Sequence, residues 1–291
     1  MCALRQRNVF RMKHESVHAE RRRELGRFLR NRRARLLPEN VGVLPSIGRR
    51  RVAGLRREEV AVLAGVSVKW YTMLESGIAE GVSSTTLDAV ARALLLTPDE
   101  VEYIHNLADS SIDEASDGDV SPLMFGAFAA IEWAPAYICT SQWTVLHWNR
   151  AMSLVWGIEP PGGPAFNIVR RMFLDERLRS QHGDRFGEFG RRLIAMMRVG
   201  AARLIDDPVY NGLFVDLQND PIFAAAWDAY DIAAPFGTSR SQIDSINIGT
   251  FTYEAVSLHV EGVVGHSIVV QVPDPPSQER LADALAVTTH E

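Results

Sequence analysis

Apolar residues between positions 25 and 36 fall at helical spacing. Leu25, Phe28, Leu29 and Leu36 share one face with Arg32, while Arg30, Arg33 and Arg35 point elsewhere. The pattern predicts a helix that stops before Pro38, since the residue preceding a proline avoids the helical region. A Pro/Gly-containing loop follows over 38–54. A second helix is predicted from about Arg56 to Ala64, with Glu58 and Glu59 in its first turn. Gly65 suits a left-handed helix end, and Ser67 is a good N-cap for a third helix over about Val68–Ser76. Ser83 or Ser84 caps a fourth helix with Leu87, Val90, Ala91 and Leu94 as its stripe. Thr97-Pro98 opens a fifth, with Val101, Ile104 and Leu107 facing inward.

The pattern then breaks. Residues 109–121, DSSIDEASDGDVS, are acidic and nearly free of large apolar side chains, as a linker is. Beyond them the period mixes. Pro135–Cys139 and Trp143–Trp148 read as strands around a Thr140-Ser141-Gln142 turn, and Asn149 can cap a short helix through Trp156. Residues 167–174, 185–206 and 221–230 read as helices. Strand patterns return at Ile243–Ile248, Thr250–Val260 and His266–Val272. The expected architecture is two domains. An all-α five-helix domain spans 21–108, and an α+β domain spans 122–275, with an antiparallel sheet capped by helices on one face. Residues 1–20 and 276–291 read as tails, the first of them disordered and basic.

Charge changes the picture. The first sixty residues hold seventeen Lys and Arg against six Asp and Glu, a net of +11, in a chain whose net charge is −5. A mildly acidic protein therefore carries one strongly basic end, beside its two short glycine-jointed helices. The apolar share of 46% and charged share of 23% fit a globular chain. Cys2 and Cys139 are its only cysteines, which favours a reducing, cytoplasmic setting over a disulfide framework. Neither a secretory leader nor a membrane-length apolar run is present in the sequence, so no membrane partner is expected.

The segment Leu55–Gly77 has the form of a helix-turn-helix, in which the second helix of the pair enters the DNA major groove. With Tyr71 and Leu74 facing the core, Ser67, Val68, Lys69, Trp70, Thr72 and Met73 are left for the groove and its walls. Lys69 can donate to guanine O6 or N7, and Val68 or Met73 can meet a thymine methyl. Arg56 and Arg57, at the start of the preceding helix, and Arg30, Arg33, Arg49, Arg50 and Arg51 are candidate phosphate contacts, which add affinity without sequence choice.

Three strings, ELGRFLRNRRARLLPENVG, RRRVAGLRREEVAVLAGVSVKWYTMLE and LDAVARAL, closely resemble the bacterial MmyB-like transcription regulators. In that family an Xre-type helix-turn-helix precedes an MltR-type, PAS-like ligand-binding domain. PAYICTSQWTVLHWNRA, RRMFLDERLRS, WDAYDI and GTFTYEAVSL stand in the family's order and spacing. The resemblance implies a sheet whose helical side encloses a small-molecule pocket. The chain departs from the family at Met73 and Ile78, where cations are usual. It departs again after residue 230, where AAPFGTSRSQ leaves Arg240 as the lone cation of a normally basic stretch.

Candidate pocket residues are Trp143, His147, Trp148, Asn149, Met152, Trp156, Phe173, Met196, Met197, Trp227, Phe251 and Tyr253, with Arg171 or Arg240 as further polar contacts. Such a lining suits a fatty acid or another hydrophobic metabolite; no cofactor is expected. The chain lacks a phosphate-binding loop, a dinucleotide fingerprint and a nucleophile elbow, so catalysis in the pocket is the remote reading. The reading is a sequence-specific transcription regulator acting on a double-stranded DNA operator, with a small-molecule effector and a homodimer expected from operator symmetry. The alternative is a ligand-free second domain that dimerises or recruits a partner.

Overall fold

The computed structural model describes residues 2–43, 53–109, 120–159, 166–201, 204, 207–233, 240–259 and 265–287, with the backbone alone over 2–16. The chain divides into two compact units, Met1–Asp113 with Ala201–Asp206, and Glu114–Gly200 with Asp207–Glu291.

The first unit contains α1 (Cys2–Arg35), α2 (Arg57–Ala64), α3 (Val68–Glu75), α4 (Ser84–Ala93) and α5 (Pro98–Ala108), with a 3-10 turn at Pro38–Val41. Helix α1 is longer than its apolar stripe. Residues 2–20, read above as a disordered tail, are its first turns. That segment is rich in helix formers (Ala, Leu, Arg, Gln, Met, Lys, Glu), but without a stripe no periodic pattern marks it. At its junction with the packed part, Glu20 accepts from Arg23 and Arg27, both at 2.7 Å. The other helices begin where their caps stand: Ser67 Oγ accepts from the Trp70 amide (3.1 Å), Ser83 Oγ from Thr86 (3.2 Å), and Thr97 and Glu100 form a reciprocal capping box. Phe28, Leu29, Leu55, Val60, Tyr71, Leu74, Leu87, Val90, Tyr103 and Ile104 make the core, each at most 2% exposed. Each such side chain contributes roughly 1.5–3 kcal/mol of burial.

The second unit opens with α6 (Pro122–Ala129), then β1 (Ala136–Thr140), β2 (Thr144–Trp148), α7 (Arg150–Trp156), β3 (Phe166–Asn167), α8 (Ile168–Leu174), α9 (Glu176–Ser180) and, after a 3-10 turn at Gly183–Arg185, α10 (Phe186–Ala201). Then come α11 (Pro208–Leu217), α12 (Pro221–Ala229), β4 (Arg240–Ser245), β5 (Gly249–Leu258), β6 (His266–Pro273) and α13 (Pro275–Val287). The strands form one curled antiparallel sheet in the order β3-β2-β1-β6-β5-β4.

Register sorts the two faces of this sheet. Tyr137 pairs with Val269, Ala255 with Gln271, and Ser241 with Tyr253, which places these side chains on one side. Ala136, Ile138, Ile268 and Val270 point to the other, where Met124 and Phe128 of α6 pack on them. Helices therefore cover both faces rather than one. PLMFGAFA is apolar all round, so its sequence offers no stripe to show which side it buries. The segment from residue 276, read as a tail, is α13, anchored by Leu281 (0% exposed) and Ser277, whose Oγ accepts from the Thr252 amide at 2.9 Å.

Candidate DNA interface and ligand cavity

The turn between α2 and α3 depends on Gly65, which sits at φ +67° while Val66 N–H closes on the Ala61 carbonyl (2.9 Å). Around that turn α3 buries Tyr71, Leu74 and Glu75. Ser67, Val68, Lys69 and Met73 are exposed; Trp70 and Thr72 are half-buried. The Thr72 hydroxyl donates to the Val68 carbonyl at 2.8 Å, which leaves Lys69 as the only cation on α3. Val62 and Ile78 are exposed beside it, at 79% and 62%. The exposed side of α3 thus sets apolar Val68 and Met73 beside one long flexible donor, Lys69.

The arginines sort differently from the sequence reading. Glu75, with a fully buried side chain, gathers them. Arg33 Nε reaches its Oε1 at 2.5 Å and Arg33 Nη2 its Oε2 at 3.1 Å; Arg57 Nε reaches Oε2 at 2.7 Å. Arg33 also donates to the Leu55 carbonyl (2.8 Å), so this guanidinium, 12% exposed, is occupied within the fold. Arg33 is thus committed within the fold, where the buried Glu75 carboxylate compensates its charge, and it is poorly placed to reach a phosphate. Arg57 shares that carboxylate but keeps 38% of its side chain exposed, and Arg30, at 53%, donates to the Glu75 main-chain carbonyl (3.3 Å). Arg56 N–H donates to Glu59 Oε2 at 2.7 Å as α2 begins. Arg49, Arg50 and Arg51 lie outside the described residues.

Burial alone would raise the Glu75 pKa. Hydrogen bonds from Arg33 and Arg57, then their charges, outweigh it and hold the carboxyl below its ordinary value. The carboxyl sits at the last turn of α3, so one buried group ties the reading helix to α1 and α2.

In the second unit, a cavity of about 40 Å³ lies between the sheet face that carries Tyr137, Tyr253, Ala255 and Gln271 and the helices opposite. Those helices supply Trp156, Ile168, Met172, Phe189, Leu193 and Met196. Trp143 closes one wall from the β1–β2 turn. It adopts φ +67°, uncommon for a bulky residue, its N–H bonded to the Thr140 carbonyl (3.0 Å) and its own carbonyl accepting from Ile168 (2.9 Å). Polar groups are few. The Trp156 indole donates to Gln271 Oε1 at 2.8 Å, and Arg192 donates to Ser241 Oγ. Burial lifts the Tyr253 phenol to about 12, against smaller opposing effects of Arg192 and Ser241. Among the described residues Arg192 has no carboxylate partner.

Of the sequence candidates, Trp143, Trp156, Met196 and Tyr253 line this cavity. Met152, Phe173, Met197 and Phe251 are buried core outside it. Asn149 is spent on structure: its Oδ1 caps α7 and accepts from Ala136, and its Nδ2 donates to Ile131 and Ala134 carbonyls. Trp148 donates to Ser153 Oγ (2.9 Å), and exposed His147 stands edge-on to Phe125. Trp227 stacks on Phe223 and covers the buried Arg198 guanidinium at 4.1 Å. Arg171 pairs with Asp175, and Arg240 with Asp274. Sequence reasoning missed Arg192 and Gln271, although both were legible as polar residues on otherwise apolar faces of a helix and a strand.

A basic helix-turn-helix unit joined to an α+β unit with a mostly apolar cavity defines a DNA-binding transcription regulator with a ligand-binding C-terminal domain. Comparison with protein families agrees for both units. A helix-turn-helix domain model matches residues 24–104, and the model of the MmyB-like transcription regulator ligand binding domain matches residues 120–285. The chain belongs to the MmyB-like transcription regulators. No curated protein matches it. Among the described residues no helix is long and apolar enough to cross a membrane, and no cluster of three or more potential metal ligands occurs.

Proposed function

We propose that the chain is a cytoplasmic, homodimeric, sequence-specific regulator. Its second unit would sense a hydrophobic, fatty-acid-like effector with one anionic end. The observation that carries this reading is Arg192, a guanidinium without a carboxylate partner among the described residues, set beside an otherwise apolar cavity. An acyl chain in the cavity and a carboxylate on Arg192 would satisfy both surfaces.

The cavity volume supports a switch rather than a fixed receptor. About 40 Å³ holds a few waters, whereas an apolar cavity that takes up benzene measures roughly 150 Å³. An acyl chain must displace side chains, and Met172 and Met196 are the flexible ones in the wall. The ligand then binds only the opened arrangement, which is the differential affinity that a shift in population requires. The same small volume favours a second reading, in which the unit takes no ligand and serves to dimerise or recruit a partner. Native mass spectrometry of freshly purified protein separates the two. A retained amphiphile supports the sensor, and a mass equal to the bare chain supports the partner module.

For the DNA unit, Lys69→Ala is expected to flatten base preference by about 1–3 kcal/mol at the position it reads. Gel shifts against DNA from the gene's own upstream region, with single-base variants, measure this. An unchanged preference would remove Lys69 from the reading face. Wild-type binding should also weaken steeply as salt rises, because phosphate contacts release counterions.

A further inference from the structure

Beside the cavity lies an open pocket of about 310 Å³ that shares Phe189, Arg192 and Ser241 with it. Three guanidinium groups from three elements line this pocket: Arg185 from the 3-10 turn, Arg192 from α10 and Arg240 from β4. Glu188 is the only carboxylate residue in its lining among the described residues. Arg185 is braced by Asp244 (2.7 Å) and Arg240 by Asp274 (2.5 Å). Each pair engages one terminal nitrogen, and Arg185 Nε also donates to the Gln242 carbonyl (3.4 Å), so each guanidinium, with its five N–H donors, keeps others for a ligand.

The inner wall holds His182, 1% exposed and stacked on Phe189 at 3.9 Å. Its Nε2 is buried without a hydrogen-bond partner. Such an orphan is costly unless something fills it. Burial, then the charges of Arg185 and Arg192, depress this imidazole to about 4, so it is neutral at physiological pH. A neutral ring with an unclaimed Nε2 can carry its proton there and donate.

A carboxylate on Arg192 would use neither the His182 Nε2 nor the N–H groups of Arg185 and Arg240 that their carboxylate partners leave over. We infer that the effector is an acyl chain ending in a phosphate monoester, with its tail in the cavity and its phosphate oxygens among Arg185, Arg192, Arg240 and His182. This rests on the proposed sensor role of the same cavity and narrows it to a phosphorylated amphiphile. Phosphate presents several acceptor oxygens in the geometry that arginine pairs with best.

Isothermal titration of the full chain with laurate, 1-lauroyl-lysophosphatidate and glycerol 3-phosphate, all below micellar concentrations, tests it. Lysophosphatidate is expected to bind at least ten-fold more tightly than laurate. Arg185→Ala/Arg240→Ala, which changes two exposed side chains, should make the two affinities converge. Glycerol 3-phosphate should bind far more weakly than either lipid. Equal affinity for laurate and lysophosphatidate, or a gap that survives the double substitution, would overturn the phosphate assignment while leaving the sensor role intact. Glycerol 3-phosphate binding as tightly as lysophosphatidate would overturn the link to the cavity. Failure of both lipids to bind would overturn the sensor role and this inference with it.

Discussion

Glu75→Ala is expected to destabilise the DNA-binding unit by about 3–5 kcal/mol, the range seen when one partner of a buried ion pair is removed. Its side chain is fully buried, and it holds Arg33 from α1 and Arg57 from α2 at 2.5 and 2.7 Å. Without it, the 12%-exposed Arg33 guanidinium is left buried and uncompensated. In a unit of this size each kcal/mol moves the midpoint by about 4–8 °C, so scanning calorimetry of the full chain should show the earlier transition falling far below the wild-type one. Glu75→Gln, which keeps an acceptor and loses the charge, should fall between. A change within about 0.5 kcal/mol, as for an ordinary surface substitution, would contradict the role assigned to this carboxylate. The pH dependence has a fixed sign. The folded pKa of Glu75 lies below its ordinary value, so the stabilisation is fully present above the unfolded value and is lost as pH falls through the lowered folded one. The gap between wild type and Glu75→Ala should therefore close in acid.

Gly26→Ala should also destabilise, against the usual helix trend. Alanine in a helix interior is favoured over glycine by about 0.5–1 kcal/mol. At Gly26, however, a Cβ would stand 2.4 Å from the Glu75 carbonyl oxygen and 2.8 Å from its carbon, both main-chain atoms at the end of α3. Backbone cannot turn aside as a side chain can, so α1 and α3 must separate. Overpacking of this kind costs about 1–3 kcal/mol, which outweighs the propensity gain. The reading helix moves with it, so DNA affinity should drop as well. Gly126 in α6 is the control: a Cβ there meets nothing within 4 Å, and Gly126→Ala should stabilise by about 0.5–1 kcal/mol. Gly26→Ala matching Gly126→Ala in thermal unfolding would refute the close approach.

The DNA-binding unit was legible because its information is local. Ser67, Ser83 and Thr97 cap helices within three residues of themselves, and Gly65 marks its turn by its own conformation. The roles of Arg33 and Arg57 were not legible, because they depend on a carboxylate 42 and 18 residues away. A hint existed in Glu75, which follows Tyr71 by one helical turn and so shares its inward face. In the second unit the strands β1, β2, β5 and β6 were readable from β-branched and aromatic runs. Helices α6, α11 and α13 were not, since none carries a clean division into a polar and an apolar face. The cavity itself is a non-local object. Tyr137 sits in a strand buried on both faces, where alternation vanishes and nothing marks which side faces a space.

In the proposed mechanism one chain couples the binding of an amphiphile to the binding of DNA. Fluorescence anisotropy of the full chain on a labelled fragment of its upstream region, with and without saturating 1-lauroyl-lysophosphatidate or laurate, tests it most directly. Allosteric coupling of about 1–3 kcal/mol predicts a 5- to 150-fold change in apparent Kd, lost when Arg192→Ala removes the anchoring cation. An operator affinity that stays the same with both amphiphiles bound would contradict the claim.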